Sequence, residues 1–142
     1  MNDDGFALDA TLQADTHWIG DLPLTRVLLM DDARFPWLIL VPRIAGMRDL
    51  IDLPRERQHA LLDEIERCAR ALRELHVPRK LNIASLGNVV AQLHVHVIAR
   101  HAHDAAWPKP VWGVGERTGY DSISREAQLS RLRDVLGLAA PG

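Results

Sequence analysis

Residues 92–98 read Gln-Leu-His-Val-His-Val-Ile and alternate polar with apolar side chains until the final apolar pair. A period of two predicts a β-strand, because successive side chains of a strand project to opposite faces. Gln92, His94 and His96 therefore share one face of this strand, and the apolar residues between them share the other. Three polar side chains in register predict either a solvated face or a functional site.

Apolar segments elsewhere predict the rest of a sheet. The turn-favouring residues 31–36 separate two apolar segments, residues 22–30 and 37–41, and this pattern is typical of a hairpin. We expect its second strand to stop near Val41, because Pro42 lacks a backbone N–H. Residues 80–85 predict another strand, followed by a turn at Gly87 and the histidine strand over residues 89–100. Residues 16–19 predict a short additional strand.

Two segments have helical periodicity. Apolar residues recur every three or four positions between Leu61 and Leu75, with Asp52 or a neighbour as the expected cap, Pro54 in the first turn and Pro78 beyond the end. Residues 124–136 predict a C-terminal helix. Strands, a helix, strands and a helix in this order favour an α+β fold with an antiparallel sheet. We expect residues 1–142 to form a single domain.

The composition excludes several classes of protein. The chain has 142 residues, of which 47% are hydrophobic and 25% are charged, as in globular proteins. Its formal net charge of −2 predicts no nonspecific binding to nucleic acid or to an anionic membrane. Cys68 is the only cysteine, so no disulfide forms within the chain. The start of the sequence lacks a secretory pattern, and we expect a cytoplasmic protein.

The histidine pair suits two kinds of chemistry. A neutral imidazole can attack phosphorus and form a covalent intermediate, provided that an acceptor orients its other nitrogen and donors hold the phosphate. Alternatively, His94 and His96 can ligate a metal with His101 or His103 as a third ligand. Those two residues lie an odd number of positions away, and on a continuous strand they face the other side. We therefore expect no metal and no cofactor.

The segment from Gln92 to Ile98 resembles the signature of the histidine triad (HIT) superfamily: three histidines alternating with hydrophobic residues, then two hydrophobic residues. Similar features are VLLMDD before the turn, LILVPR after it, the long helix, and LNIASLGN before the histidine strand. The resemblance covers residues 22–100. It implies a HIT-like fold with about five antiparallel strands and helices on one side. It also implies a homodimer in which two sheets join.

The resemblance also implies roles for individual residues. His94 matches the nucleophile that takes up a nucleotidyl group, and His96 matches a contact to the phosphate or leaving-group oxygen. Asn82 and Asn88 match polar phosphate or leaving-group contacts, with the Val89 amide as a further donor. Asp31 or Asp32 falls where the family contacts the ribose hydroxyls. Turn chemistry alone also explains the asparagines and aspartates.

Two positions depart from the family pattern. Gln92 stands in place of the first triad histidine, and Trp37 occupies a position where many members have another histidine. We hypothesise that these changes are paired, so that Trp37 contacts Gln92. The tryptophans Trp107 and Trp112 are interpreted as packing or dimer anchors, with a position beside the nucleotide pocket as the alternative.

The function implied is a nucleotide hydrolase or nucleotidyl transferase. Its substrate would be a phosphoramidate, a dinucleoside polyphosphate or a nucleotidyl ester, cleaved through a nucleotidyl-histidine intermediate. Two alternatives stay open from the sequence, namely a non-catalytic purine nucleotide-binding module and a metal-dependent enzyme that uses the histidine pair.

Overall fold

A computed structural model describes residues 5–142 of the chain. It has five strands, three α-helices and one short 3-10 helix, and this α+β architecture confirms the predicted fold. In chain order the elements are α1 (Ala10–Asp15), β1 (Thr16–Asp21), β2 (Thr25–Met30), β3 (Trp37–Pro42), the 3-10 helix (Leu50–Asp52), α2 (Arg55–His76), β4 (Lys80–Ala84), β5 (Val95–Arg100) and α3 (Ser122–Leu136).

The strands form one sheet in the order β1-β2-β3-β5-β4, and all neighbouring strands are antiparallel. The histidine strand β5 is therefore next to the centre, between β3 and β4. In its register with β3, His96 pairs with Ile39 and Ile98 pairs with Trp37. Strands β1 and β4 form the edges of the sheet.

The two faces of the sheet are covered by different elements. Helices α2 and α3 bury one face, where Leu72 and Leu132 pack in the same apolar cluster as Val97 of β5. The other face packs against Leu12 of α1 and against the loop after β5, which contributes Val111. Helices on one side were expected, and α1 on the opposite face is a correction to that expectation.

Helix α1 has no counterpart in the sequence predictions. It is six residues long, too short for a periodic apolar pattern. Its N-cap is Asp9, whose carboxylate accepts hydrogen bonds from the backbone N–H groups of Thr11 and Leu12. Among residues 5–142, no helix is long and apolar enough to cross a membrane.

The ends of several elements differ from the predictions. The expected cap of α2 was Asp52 or a neighbour, with Pro54 in the first turn. The N-cap residue is Pro54, one position before the first turn, and the Asp52 carboxylate accepts from the backbone N–H groups of Arg48 and Asp49. Strand β3 ends at Pro42, one residue beyond the predicted end near Val41, because proline has no backbone N–H with which to continue the ladder. Strand β5 begins only at Val95, so residues 89–94 are a loop leading into the strand.

Candidate active site

His94 directly precedes β5 and His96 is the second residue of that strand, and the two side chains lie side by side on the sheet face opposite α2. Their rings are 4.9 Å apart between centroids, and each residue is only 6% exposed. Both line a cleft of about 370 Å³, which lies within the range of small-molecule sites. The full lining consists of Thr11, Leu12, Asp15, Met30, Trp37, Ile39, Leu86, Gly87, Asn88, Val89, Val90, His94, His96 and Trp112.

His94 is oriented by the backbone. Its Nδ1 lies 2.6 Å from the carbonyl oxygen of Gln92, and a carbonyl can only accept, so Nδ1 carries the proton. In a neutral imidazole the second nitrogen then holds a free lone pair. The Gln92 carbonyl is thus the acceptor that nucleophilic chemistry at this ring requires. The arrangement meets the geometric requirement for a nucleophilic Nε2.

His96 is oriented by a side chain. The indole Nε1 of Trp37 lies 3.0 Å from His96 Nδ1, and both residues are buried. Burial, together with the neighbouring His94, lowers the pKa of His96 to about 4. His96 is therefore neutral in the physiological pH range. Trp112 packs its edge against the same ring, with centroids 5.0 Å apart.

The side chain of Gln92 does not contact Trp37 in any hydrogen bond or ring contact found among residues 5–142. Its Oε1 accepts from the backbone N–H of Asp9, and its Nε2 donates to the carbonyl of Ala7, both at 2.9 Å. Gln92 and Trp37 therefore have different hydrogen-bond partners, and the structure gives the hypothesised pairing no support. The side chain of Gln92 is hydrogen-bonded to the backbone of the segment before α1, while Trp37 donates to His96.

The residues predicted to contact phosphate fall into two groups. Asn88 and Val89 line the cleft, in the turn before the histidines. Asn82 in β4 does not line it; its carboxamide oxygen accepts a hydrogen bond of 2.8 Å from Arg100. That arginine is 1% exposed and also pairs with Asp104. In this structure Asn82 thus binds the buried Arg100–Asp104 pair, further along β5 from His96.

Asp31 and Asp32 lie outside the cleft lining. Asp32 is 1% exposed and pairs with Arg34 at 2.8 Å. Asp31 contacts His17 Nε2 and accepts from the Tyr120 backbone N–H at 2.9 and 3.0 Å. Burial would raise the pKa of Asp31, but these hydrogen bonds outweigh it, and the pKa lies below its ordinary value.

The carboxylate residue that does line the cleft is Asp15, at the end of α1. One of its oxygens lies 3.2 Å from Arg117 in a partly exposed pair. Sequence reasoning missed Asp15 because α1 itself was not predicted, and no local motif distinguishes this aspartate from the other acidic residues near the N-terminus.

The histidines after β5 do not join the pair. The Nε2 of His101 bonds to the carbonyl of His76, at the end of α2, and the ring of His103 lies 5.2 Å from that of His101. Within the described part of the chain, no group of three or more histidine, cysteine or acidic side chains is arranged to hold a metal ion. Of the two tryptophans in this loop, Trp112 borders the cleft and Trp107 lies beside Arg100.

The fold and the site together define an α+β protein with a buried histidine pair in a cleft on one face of an antiparallel sheet. The HIT domain profile matches residues 11–103, which include both histidines. The chain belongs to the HIT family.

Solved structures with this fold are similar over nearly their whole length. A histidine triad protein from Bradyrhizobium japonicum is 49% identical, with a TM-score of 0.90, over 92% of this chain and 98% of that one. Histidine triad proteins from Marinobacter aquaeolei and Sinorhizobium meliloti are 43% and 39% identical, each with a TM-score of 0.91 over 94% of this chain and 98% of theirs. A sequence search of curated proteins gave no match.

Proposed function

We propose that this protein is a nucleotide hydrolase or nucleotidyl transferase that acts on a nucleoside monophosphate derivative through a nucleotidyl-His94 intermediate. One observation carries the proposal: the contact of His94 Nδ1 with the Gln92 carbonyl leaves Nε2 as an unprotonated nucleophile beside the cleft. Membership of the HIT family supports the substrate class. Candidate substrates are phosphoramidates, dinucleoside polyphosphates and nucleotidyl esters.

The reaction has two displacement steps. In the first step the Nε2 lone pair of His94 attacks the α-phosphorus, a P–N bond forms, and the bond from phosphorus to the leaving group breaks. In the second step water, or another acceptor in a transferase, attacks the same phosphorus and the P–N bond breaks. The nucleoside monophosphate, or its transferred form, leaves the site and His94 is regenerated. These two displacement steps require no redox change and no cofactor.

The phosphate oxygens need donors in both steps. Asn88 and Val89 line the same cleft as His94, and the Asn88 carboxamide and the Val89 backbone N–H are the candidate donors from the turn before β5. His96 faces the same cleft as a neutral ring. The carboxamide oxygen of Asn82 accepts a hydrogen bond from Arg100 in β5. We therefore propose that Asn82 stabilises β5 and does not contact the phosphate directly.

The ribose hydroxyls need an acceptor, and we assign this role to Asp15 rather than to Asp31 or Asp32. Asp15 lines the cleft, whereas the other two carboxylates are held by neighbouring groups outside it. Its ion pair with Arg117 is more than one third exposed on both sides, and solvent screening keeps the energy of such pairs small. A ribose hydroxyl can therefore share the Asp15 carboxylate at a small cost.

Gln92 is assigned the first triad position, in place of a histidine. A glutamine side chain does not titrate in the physiological range and cannot serve as an acid or a base. Its carboxamide instead binds Ala7 and Asp9, which places α1 against the cleft. We therefore assign Gln92 a positioning role: its backbone orients His94, and its side chain holds the N-terminal wall.

We also propose that the protein is a homodimer joined through β4. This edge strand has no further strand on its outer side among residues 5–142, and exposed edges are normally covered. An apolar groove of about 350 Å³ runs between α2 and β4, where Leu62 is 63% and Ile83 is 52% exposed. A second copy of the chain would extend the sheet and bury this surface, as in the family pattern.

Trapping the intermediate tests the proposed activity. The protein is mixed rapidly with adenylylated and guanylylated compounds, quenched in alkali because phosphohistidine bonds are acid-labile, and analysed by intact mass spectrometry. A nucleotidyl adduct that maps to His94 is expected, and it should be absent from His94→Ala. His103→Ala is the matched control, because this exposed histidine lies outside the cleft.

The same experiment separates the alternatives. Binding of a nucleoside monophosphate without any adduct or turnover would identify a non-catalytic nucleotide-binding module. Turnover that depends on an added divalent metal, with no adduct, would favour the metal-dependent enzyme. Either result would contradict the covalent mechanism.

A further inference from the structure

Trp37 and His96 are diagonal neighbours on one face of the sheet. In the β3–β5 register, Trp37 pairs with Ile98 and His96 pairs with Ile39, so the two aromatic side chains lie two positions apart across the strands. The indole Nε1 reaches His96 Nδ1 at 3.0 Å, and the two residues are 4% and 6% exposed. This is a buried side-chain hydrogen bond inside the candidate active site.

The direction of this hydrogen bond is determined by chemistry. An indole N–H is only a donor, so Nδ1 of His96 must present its lone pair. The proton of the neutral ring then resides on Nε2. A protonated His96 would bring an Nδ1–H against the indole N–H, so the same contact opposes the imidazolium form.

We propose that Trp37 is a positioning residue that holds His96 as the Nε2–H tautomer, so that this ring is a hydrogen-bond donor next to the nucleophile. The tautomer follows from the contact alone. Its catalytic consequence rests on the proposed function, in which Nε2–H of His96 donates to a phosphate or leaving-group oxygen.

The two rings therefore hold their protons on opposite nitrogens. His94 has its proton on Nδ1, against the Gln92 carbonyl, and a free lone pair on Nε2. His96 has the reverse arrangement. Neither Nε2 is used in a hydrogen bond within residues 5–142, so both remain available to a ligand. One ring is thereby a nucleophile and its neighbour a donor, although the two side chains are chemically identical.

Nitrogen-15 NMR of the whole protein tests the assignment directly. Long-range proton–nitrogen spectra distinguish the protonated from the unprotonated nitrogen of each neutral histidine, and the resonances are assigned with His94→Ala and His96→Gln. We expect Nδ1–H for His94 and Nε2–H for His96 at neutral pH. A wild-type spectrum with Nδ1–H on His96 would overturn the proposal without any variant of Trp37.

Trp37→Phe removes the donor and keeps an aromatic ring. We expect His96 to become a mixture of tautomers, its titration to move to higher pH, and kcat to fall about tenfold with a smaller change in KM, as for loss of one supporting hydrogen bond. Trp112→Phe is the matched control for the tautomer, because Trp112 only packs against the ring. His96 should stay in the Nε2–H form in that variant.

The outcomes separate this inference from the proposed function. If Trp37→Phe leaves His96 wholly in the Nε2–H form, Trp37 does not position it and the inference is wrong. If the wild-type protein forms no nucleotidyl adduct, the proposed function fails, while the spectra still decide the role of Trp37.

Discussion

The side-chain oxygen of Gln92 accepts a 2.9 Å hydrogen bond from the backbone N–H of Asp9, which is 83 positions earlier in the chain. Asp9 is the N-cap residue of α1, and α1 forms one wall of the cleft. The backbone carbonyl of Gln92 also orients His94. A single residue therefore connects the N-terminal wall with the candidate nucleophile, through two different chemical groups.

Gln92→Ala should weaken substrate binding more than it weakens chemistry. The substitution removes both hydrogen bonds to the N-terminal segment but keeps the carbonyl that orients His94. We expect KM to rise by about tenfold, as for the loss of 1–2 kcal/mol of supporting hydrogen bonds, with a smaller change in kcat. Steady-state kinetics measure this split, and hydrogen exchange should show faster exchange in α1.

Gln13→Ala is the control for that prediction, because Gln13 is an exposed glutamine of α1. It should change neither KM nor exchange in α1. A loss of kcat for Gln92→Ala as large as that of His94→Ala would mean that the Gln92 side chain takes part in the chemistry, and the positioning role would be wrong.

His94→Ala should abolish turnover while nucleotide binding persists. Alanine removes the attacking Nε2 but leaves His96, Asn88 and Asp15 in the cleft lining. We expect a loss of roughly 1000-fold or more in kcat, by analogy with the removal of nucleophiles in other covalent enzymes. Isothermal titration with AMP and GMP checks binding. Activity within tenfold of wild type would exclude His94 as the nucleophile.

Asp15→Asn should reduce the discrimination between ribose and dideoxyribose. An amide accepts a hydrogen bond more weakly than a carboxylate, so binding of a nucleoside monophosphate should weaken about tenfold. Binding of its 2′,3′-dideoxy analogue should be unchanged. Asp31→Asn is the comparison variant, because Asp31 lies outside the cleft lining. Discrimination lost in Asp31→Asn and kept in Asp15→Asn would restore the family assignment.

Protonation of His96 should destabilise the fold as the pH falls. Its pKa is lowered to about 4, chiefly by burial, from about 6.5 in the unfolded chain. Between these values the unfolded state binds more protons, so the free energy of unfolding decreases from pH 6.5 towards pH 4, by up to about 3 kcal/mol in all. His76, whose pKa burial also lowers, acts in the same direction.

Urea denaturation at several pH values measures this dependence. His96→Gln cannot titrate there, yet its carboxamide oxygen can still accept from Trp37, so the variant should have a shallower slope between pH 4 and 6.5. An unchanged slope would show that His96 is not the main group responsible.

Ile83→Asp should convert a dimer into monomers, because it places a charge on the apolar groove beside the edge strand β4. Light scattering of the wild type should give about twice 15.9 kDa. Ile123→Asp is the matched control: Ile123 is 83% exposed on α3 and lies outside the groove, so the dimer should persist. A wild-type monomer at micromolar concentration would contradict the proposed assembly.

Local sequence patterns were sufficient to predict the α+β fold class and the strand that carries His96. Alternation of polar and apolar residues over 92–98 predicted a strand with His94 and His96 on one face, since the period of a strand depends only on local geometry. In the structure His96 lies in β5 and His94 directly precedes it. The apolar spacing between Leu61 and Leu75 likewise predicted the body of α2, which spans Arg55–His76. These signals are local in the chain, and the structure confirms both elements.

The binding partners of the polar side chains became known only from the folded structure. The contacts of Gln92 with Asp9, of Trp37 with His96 and of Asn82 with Arg100 join residues far apart in sequence, and no local pattern encodes such partners. Asp15 became a cleft residue for the same reason, because α1 is brought to the histidines by packing across the sheet. A tautomer depends on one such contact at about 3 Å, so it emerges only when the chain is folded.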